Sequence, residues 1–174
     1  MGNMKSKKTE DHVDFILKQW AQERPDLDMK AMGTIGRIHR LSSIFFYNVH
    51  KEVFESHGLA TQDFDVLAAL LRSGKPYKKA PGDLLATLMI TSGTMTNRID
   101  RLESLGWVQR EPDPKDRRGV LICLTSEGKF VITKTLLDHV KSGHELMSSL
   151  SEKEHSELSK LLRKLLLNLE QRKI

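Results

Sequence analysis

Apolar residues recur at helical spacing along most of this chain and at strand spacing over one short stretch. Val13, Ile16, Leu17 and Trp20 predict a short amphipathic helix. Pro25 interrupts it, because proline lacks an N–H and restricts the residue before it. No proline occurs from about Met32 to His57, and Ile35, Ile38, Leu41, Phe45, Val49 and Val53 make one stripe of a long helix that Gly58 is suited to end. Thr61 is an N-cap candidate for a third helix with Phe64, Leu67, Leu70 and Leu71 inside. Ser73-Gly74-Lys75-Pro76 ends that helix, and Pro81 opens a short one to about Met89. Thr91-Ser92-Gly93 reads as a turn and cap leading into a helix from Thr94 to Leu105, stopped by Gly106.

The period then changes. Trp107–Arg110 and Gly119–Thr125 read as short β segments, and residues 111–118 between them as turn and charge. After Thr125 the pattern is helical again. Ser151 and Glu154 have capping-box spacing and divide a helix at about Ser126–Ser149 from one at about Glu152–Arg172. In the last helix Leu158, Leu161, Leu162, Leu165, Leu166 and Leu169 form a wide apolar face. The expected organisation is a tail at 1–10, N-terminal helices at 11–57, a compact helix–turn–helix–hairpin unit at 58–125 and C-terminal helices at 126–174.

Composition adds limits. A 39% hydrophobic fraction over 174 residues fits a folded chain with a sizeable core. No apolar run reaches the roughly 18–20 residues that span a bilayer. The polar, Lys-rich start lacks the apolar region of a signal peptide. The single cysteine, Cys123, excludes an intrachain disulfide and fits a reducing cytoplasm. A formal net charge of +5 leans toward an anionic partner, and the placement of the charges decides which.

That placement points to DNA. Two short helices joined by a tight turn and followed by a hairpin are the parts of a winged helix-turn-helix. At roughly 100° per residue, Met95, Ile99 and Leu102 share one face of the second helix, while Thr94, Asn97 and Arg101 lie on or near the opposite one. Asn and Arg can pair with adenine and guanine edges in the major groove. Ser92, Thr94 and Thr96 place hydroxyls near a helix N-terminus, which favours phosphate. The hairpin tip carries Lys115, Arg117 and Arg118 for phosphate or a narrow minor groove, with Asp116 able to orient an arginine.

These residues resemble a known family. Pro81-Gly-Asp-Leu-Leu, Ser92-Gly-Thr-Met-Thr-Asn-Arg-Ile-Asp-Arg-Leu-Glu, Leu105-Gly-Trp-Val-Gln-Arg, Asp113-Pro-Lys-Asp-Arg-Arg-Gly and Leu124-Thr-Ser-Glu-Gly look like the MarR family of bacterial transcription regulators. Gln19-Trp-Ala-Gln-Glu-Arg-Pro-Asp-Leu-Asp resembles its PecS-like, urate-responsive branch, which has an extra first helix. The resemblance implies a mainly α fold, a winged helix-turn-helix with a small β-hairpin wing. It also implies a homodimer in which helices from both chain ends interlock, and a near-palindromic DNA site. The apolar faces of residues 35–53 and 136–169 independently exceed what a small winged domain covers by itself. The resemblance further implies a site for a small anionic or aromatic effector such as urate, xanthine or a phenolic acid. The matching positions here are Trp20, Asp65, Arg98 and Arg110. Arg98 lies about 60–70° from the buried-face centre on the helical wheel, flanking the core.

Other functions are less consistent with the residues. A redox-responsive regulator would need a reactive thiol, and Cys123 alternates with Leu121 on a wing strand as a small packing residue. A DNA-binding regulator without a small-molecule ligand is the other alternative. The histidines are scattered, and His139 and His144 lack a third ligand at metal-site spacing. No phosphate loop or nucleophile motif occurs, so neither an enzyme nor a cofactor is expected. A helical interaction protein would leave the charged wing unexplained.

Overall fold

In the computed structural model, residues 9–88 and 92–172 are described, apart from the side chains at 47–49 and 92. They are mainly helical and form two compact units divided between His50 and Lys51. The tail expected at 1–10 falls almost wholly outside the described residues.

In the N-terminal unit, α1 spans His12–Glu23 and α2 spans Lys30–Ile44. The Asp11 carboxylate accepts from the Val13 and Asp14 N–H groups, and Asp14 accepts from the Asp11 N–H. This reciprocal cap satisfies donors that a helix start leaves without partners. Arg37 on α2 pairs with both carboxylates, so the cap of α1 is also its attachment to α2. Gly33 permits the close approach of the helices, since a Cβ there would stand 2.8 Å from Leu17 Cδ1.

The helix expected from Met32 to His57 is present as three consecutive helical segments: α2, a π-helical segment Phe45–His50, and α3, Lys51–Ser56. The wider i→i+5 pattern sets in where three aromatic residues follow one another and α-helical preference is weak. Neither proline nor glycine marks the place.

In the C-terminal unit, α4 spans Thr61–Arg72 and supplies the centre of the core. Its N-cap is Ala60, not Thr61; the Ala60 carbonyl accepts from the Asp63 and Phe64 N–H groups. Leu59 and Phe64, both buried, occupy the staple positions that flank this cap and set the entry of the chain. Then follow β1 (Lys78–Lys79), α5 (Pro81–Leu88), α6 (Ser92–Ser104), β2 (Val108–Asp113) and β3 (Asp116–Leu124). Thr91, expected in the turn before α6, lies outside the described residues, whereas Ser92 and Gly93 are already helical.

The strands form an antiparallel sheet in the order β1-β3-β2. β1, which no alternation announces, pairs Lys78 with Cys123 and Lys79 with Ile122. The hairpin ladder runs from Val108↔Leu124 to Pro112↔Val120, so the strands extend into the segment expected to be turn. Pairing between neighbouring strands, rather than local composition, holds those charged residues extended.

Thr125 joins wing to helix. Its hydroxyl donates to the Gly106 and Trp107 carbonyls, at 2.8 and 3.1 Å, and accepts from the Gly128 N–H at the start of α7, Ser126–Met147. Phe54 on α3 stacks on Phe64, and His57 pairs with Asp138 of α7 at 2.7 Å. Ser151 and Glu154 form the expected capping box at the start of α8, Glu152–Gln171. Leu158, Leu161, Leu162, Leu165, Leu166 and Leu169 of α8 are all exposed in the single chain. Among the described residues no helix is long and apolar enough to cross a membrane.

Gly128 tests the wing–α7 junction. A Cβ there would overlap the Trp107 carbonyl, whose oxygen and carbon are backbone atoms that cannot swing aside as a flexible side chain could. Gly128→Ala is expected to destabilise the chain by about 3 kcal/mol or more, read as a lower denaturant midpoint. An unchanged midpoint would mean that the two backbones do not cross tightly at Gly128.

Candidate nucleic-acid interface

Helix α6 is sorted sharply into two faces. Met95, Ile99 and Leu102 are buried in the core, while Thr94, Thr96, Asn97, Asp100 and Arg101 are exposed. Asn97 and Arg101 are one turn apart on the exposed side, a spacing at which helical side chains are neighbours. Ser92 opens α6, and its side chain lies outside the described residues. Gly106, at φ +73°, ends the helix in the left-handed conformation and turns the chain into β2.

The wing tip is shaped by its own aspartates. The Asp113 carboxylate accepts from the Lys115 N–H at 2.8 Å, and the Asp116 carboxylate accepts from the Arg118 N–H at 2.9 Å. Asp116 therefore holds the backbone at Arg118, and among the described residues it makes no ion pair with an arginine side chain. Pro112 pairs with Val120 and Asp113 with Asp116, leaving Arg117, Arg118 and Gly119 bulged out of the ladder. A proline that cannot donate suits this break, and a bulge re-aims the side chains it carries. Lys115, Arg117 and Arg118 are exposed and take part in no ion pair among the described residues.

The other arginines are engaged. Arg98, half-buried, donates through Nη1 to the Gln62 carbonyl at 3.3 Å, in the first turn of α4. That helix also carries the exposed Asp65. Arg101, from the exposed face, reaches back through Nε to Asp63 at 2.7 Å. Arg110 on β2 pairs with Asp100 and Glu103 of α6. The hydrogen bond it donates to Asp100, and then the charge of Glu103, raise its pKa further. Of the sequence-predicted effector residues, Arg98 thus reaches the helix that carries Asp65, and Arg110 is held by two carboxylates of α6. Trp20 stands on α1 of the N-terminal unit, about half exposed.

Sequence reading missed Asp63, Asp100 and Glu103. Asp63 had a usable signal. It stands one turn before Leu67 on the buried face of α4, and a carboxylate there needs a cation.

Comparison with known proteins agrees with this geometry. The family model described as MarR family matches residues 57–119. The chain is 41% identical over 150 residues to the HTH-type transcriptional regulator PecS of Dickeya dadantii, covering 86% of this chain and 90% of that protein. The chain belongs to the MarR family. It shares the winged-helix DNA-binding fold of these transcriptional regulators, which are not enzymes. MarR of Escherichia coli, solved as a variant complexed with operator DNA, superposes with a TM-score of 0.68 at 29% identity, covering 79% of this chain and 97% of that one. Sco3205, a MarR-family regulator of Streptomyces coelicolor at 22% identity, shares the fold with a TM-score of 0.73, covering 82% of this chain and 93% of that one.

In this MarR-family chain Cys123 is buried on β3, beside the Lys78–Glu111 ion pair that links β1 to β2. Burial, and then the Glu111 carboxylate, push its thiol up to about 11. The thiolate is the reactive form, and at neutral pH it is about one part in ten thousand. Iodoacetamide at pH 8 is therefore expected to label Cys123 in the folded chain about 100-fold more slowly than an ordinary thiol. Labelling should accelerate as pH rises toward 11. Mass spectrometry of timed aliquots checks this, and rapid labelling at pH 7 would reopen the thiol mechanism.

Proposed function

We propose that this chain is a ligand-responsive transcriptional regulator, acting in the cytoplasm as a repressor. It binds a pseudo-palindromic operator as a homodimer and is released by a small anionic or aromatic ligand such as urate, xanthine or a phenolic acid. One observation carries the DNA-binding part. The polar face of α6 lies opposite a fully buried stripe and is joined by a hairpin whose tip cations are unpaired within the described chain. Thr94, Asn97 and Arg101 take the major groove, with Ser92 and Thr96 near phosphate. Lys115, Arg117 and Arg118 take phosphate or the minor groove, with Asp116 shaping the tip.

The dimer is supported by the exposed leucine face of α8 and the exposed Ile35, Ile38 and Leu41 of α2. Apolar surface of this extent marks an association site. A two-fold dimer reads a site of matching symmetry. The effector reading is supported by Arg98, a half-buried cation that links α6 to the helix of Asp65. An anion that takes this guanidinium changes what holds α6 and shifts the population away from the DNA-competent form. Trp20 and Arg110 enter the effector reading through the family resemblance.

The test is fluorescence anisotropy on the intergenic DNA upstream of the protein's own gene, with light scattering for the mass. A mass of twice 19.9 kDa and tight binding at low salt are expected. Asn97→Ala with Arg118→Ala should weaken binding at least about tenfold. Each lost phosphate contact should reduce the log–log salt slope by about 0.9. Urate, xanthine or a phenolate should lower affinity in the wild type, and Arg98→Ala should bring the ratio with and without effector to one. No binding to any such DNA at low salt would sink the proposal.

A further inference from the structure

Adjacent residues in the first turn of α4 hold two arginines of α6. Gln62 does so through its carbonyl, to Arg98, and Asp63 through its carboxylate, to Arg101. The second pair is asymmetric: the Asp63 side chain is 2% exposed and the Arg101 side chain 54% exposed. One end of the ion pair is sunk in the core and the other stands on the face proposed for DNA. Only Nε of Arg101 is used, and no partner among the described residues engages Nη1 or Nη2.

We propose that Asp63 is a positioning residue for base readout. Its buried carboxylate fixes Arg101 by Nε and leaves the Nη1/Nη2 edge for a guanine in the operator. This rests on the DNA-binding reading above. A desolvated carboxylate stripped of its cation is strongly unfavourable, so Arg101 cannot leave Asp63 freely to follow DNA. It meets the duplex with Asp63 attached. A guanidinium has five N–H donors in a rigid fork, so it can hold a carboxylate at Nε and still offer two donors to guanine O6 and N7. Fixing one end beforehand reduces the side-chain freedom lost on binding. Arg101 stands one turn beyond Asn97, so the two readers become a spaced pair whose second member is aimed from beneath.

The test uses the full-length protein and a set of operator duplexes, each with one base pair changed in both half-sites. Anisotropy gives the affinity for each and thermal denaturation checks folding. Wild type should penalise loss of one particular G·C pair roughly tenfold or more. Arg101→Ala should abolish that penalty. Asp63→Asn should shrink it at the same base pair and no other, and add nothing in the Arg101→Ala background. Arg101→Lys covers the case in which Asp63→Asn fails to fold. An ammonium can compensate Asp63 or approach the base but cannot fork to both, so the fold should survive while the preference is lost. A uniform loss of affinity across all duplexes that follows the melting temperature would make the pair merely structural and overturn the proposal. So would an unchanged base preference in Asp63→Asn or in Arg101→Lys. If wild type binds no operator, the DNA-binding reading falls and this inference with it; wild-type binding with an indifferent Asp63→Asn overturns this inference alone.

Discussion

Helix α6 can turn a polar face to water only because its other face is sunk against α4. A 13-residue helix with this polar a surface is marginal by itself. Burying Met95, Ile99 and Leu102 is worth roughly 1.5–3 kcal/mol for each side chain. The frame that receives them is the inner face of α4, with Phe64, Leu67 and Leu70 all buried. The same helix then fixes the rotation of α6, because its first turn presents Gln62 and Asp63 to arginines one turn apart. Apolar burial sets how deep α6 sits, and the two polar contacts bias its orientation.

The wing is held differently. Val108 and Ile122 are buried at its root, and Thr125 ties that root to the start of α7. Beyond Pro112 the ladder breaks, and the tip is exposed. The hairpin is thus a cantilever whose base is rigid and whose end is governed by charge and by two aspartate-closed turns. Lys78 and Glu111 brace it midway across the sheet, each shifting the other toward its charged form. The strand beneath the tip is thus tied across the sheet, and the tip projects beyond that brace.

Elements with strong periodicity or a paired cap were legible in the sequence. The α6 stripe, the Ser151–Glu154 cap and the glycine stops at Gly58 and Gly106 depend on residues a few positions apart. Part of what was missed depends on partners distant in sequence. The two-residue β1 exists because β3 offers it an edge. The π-helical segment changes backbone hydrogen bonding without altering the apolar pattern. For the site, a helical wheel locates a Cβ and not the end of a long side chain. Arg101 therefore reads as outward, yet its guanidinium reaches Asp63, thirty-eight positions earlier in the chain.

The pairing of the arginines divides their proposed work. Arg98, Arg101 and Arg110 each have a partner within the C-terminal unit, whereas Arg117 and Arg118 have no ion pair among the described residues. Unpaired exposed cations supply the salt-dependent attraction that any DNA sequence provides. Cations held by the protein move only when their partners allow it, so they can carry position and therefore sequence. An effector anion has little to gain from wing-tip arginines that water already serves. At Arg98 a proposed anion would meet a half-buried guanidinium whose present partner is a neutral carbonyl at 3.3 Å. A carboxylate or urate oxygen is the stronger acceptor for that donor. Of the three engaged arginines, the one with the weakest partner is thus the one through which the proposed ligand would act, and it lies on the same helix as the proposed base readers.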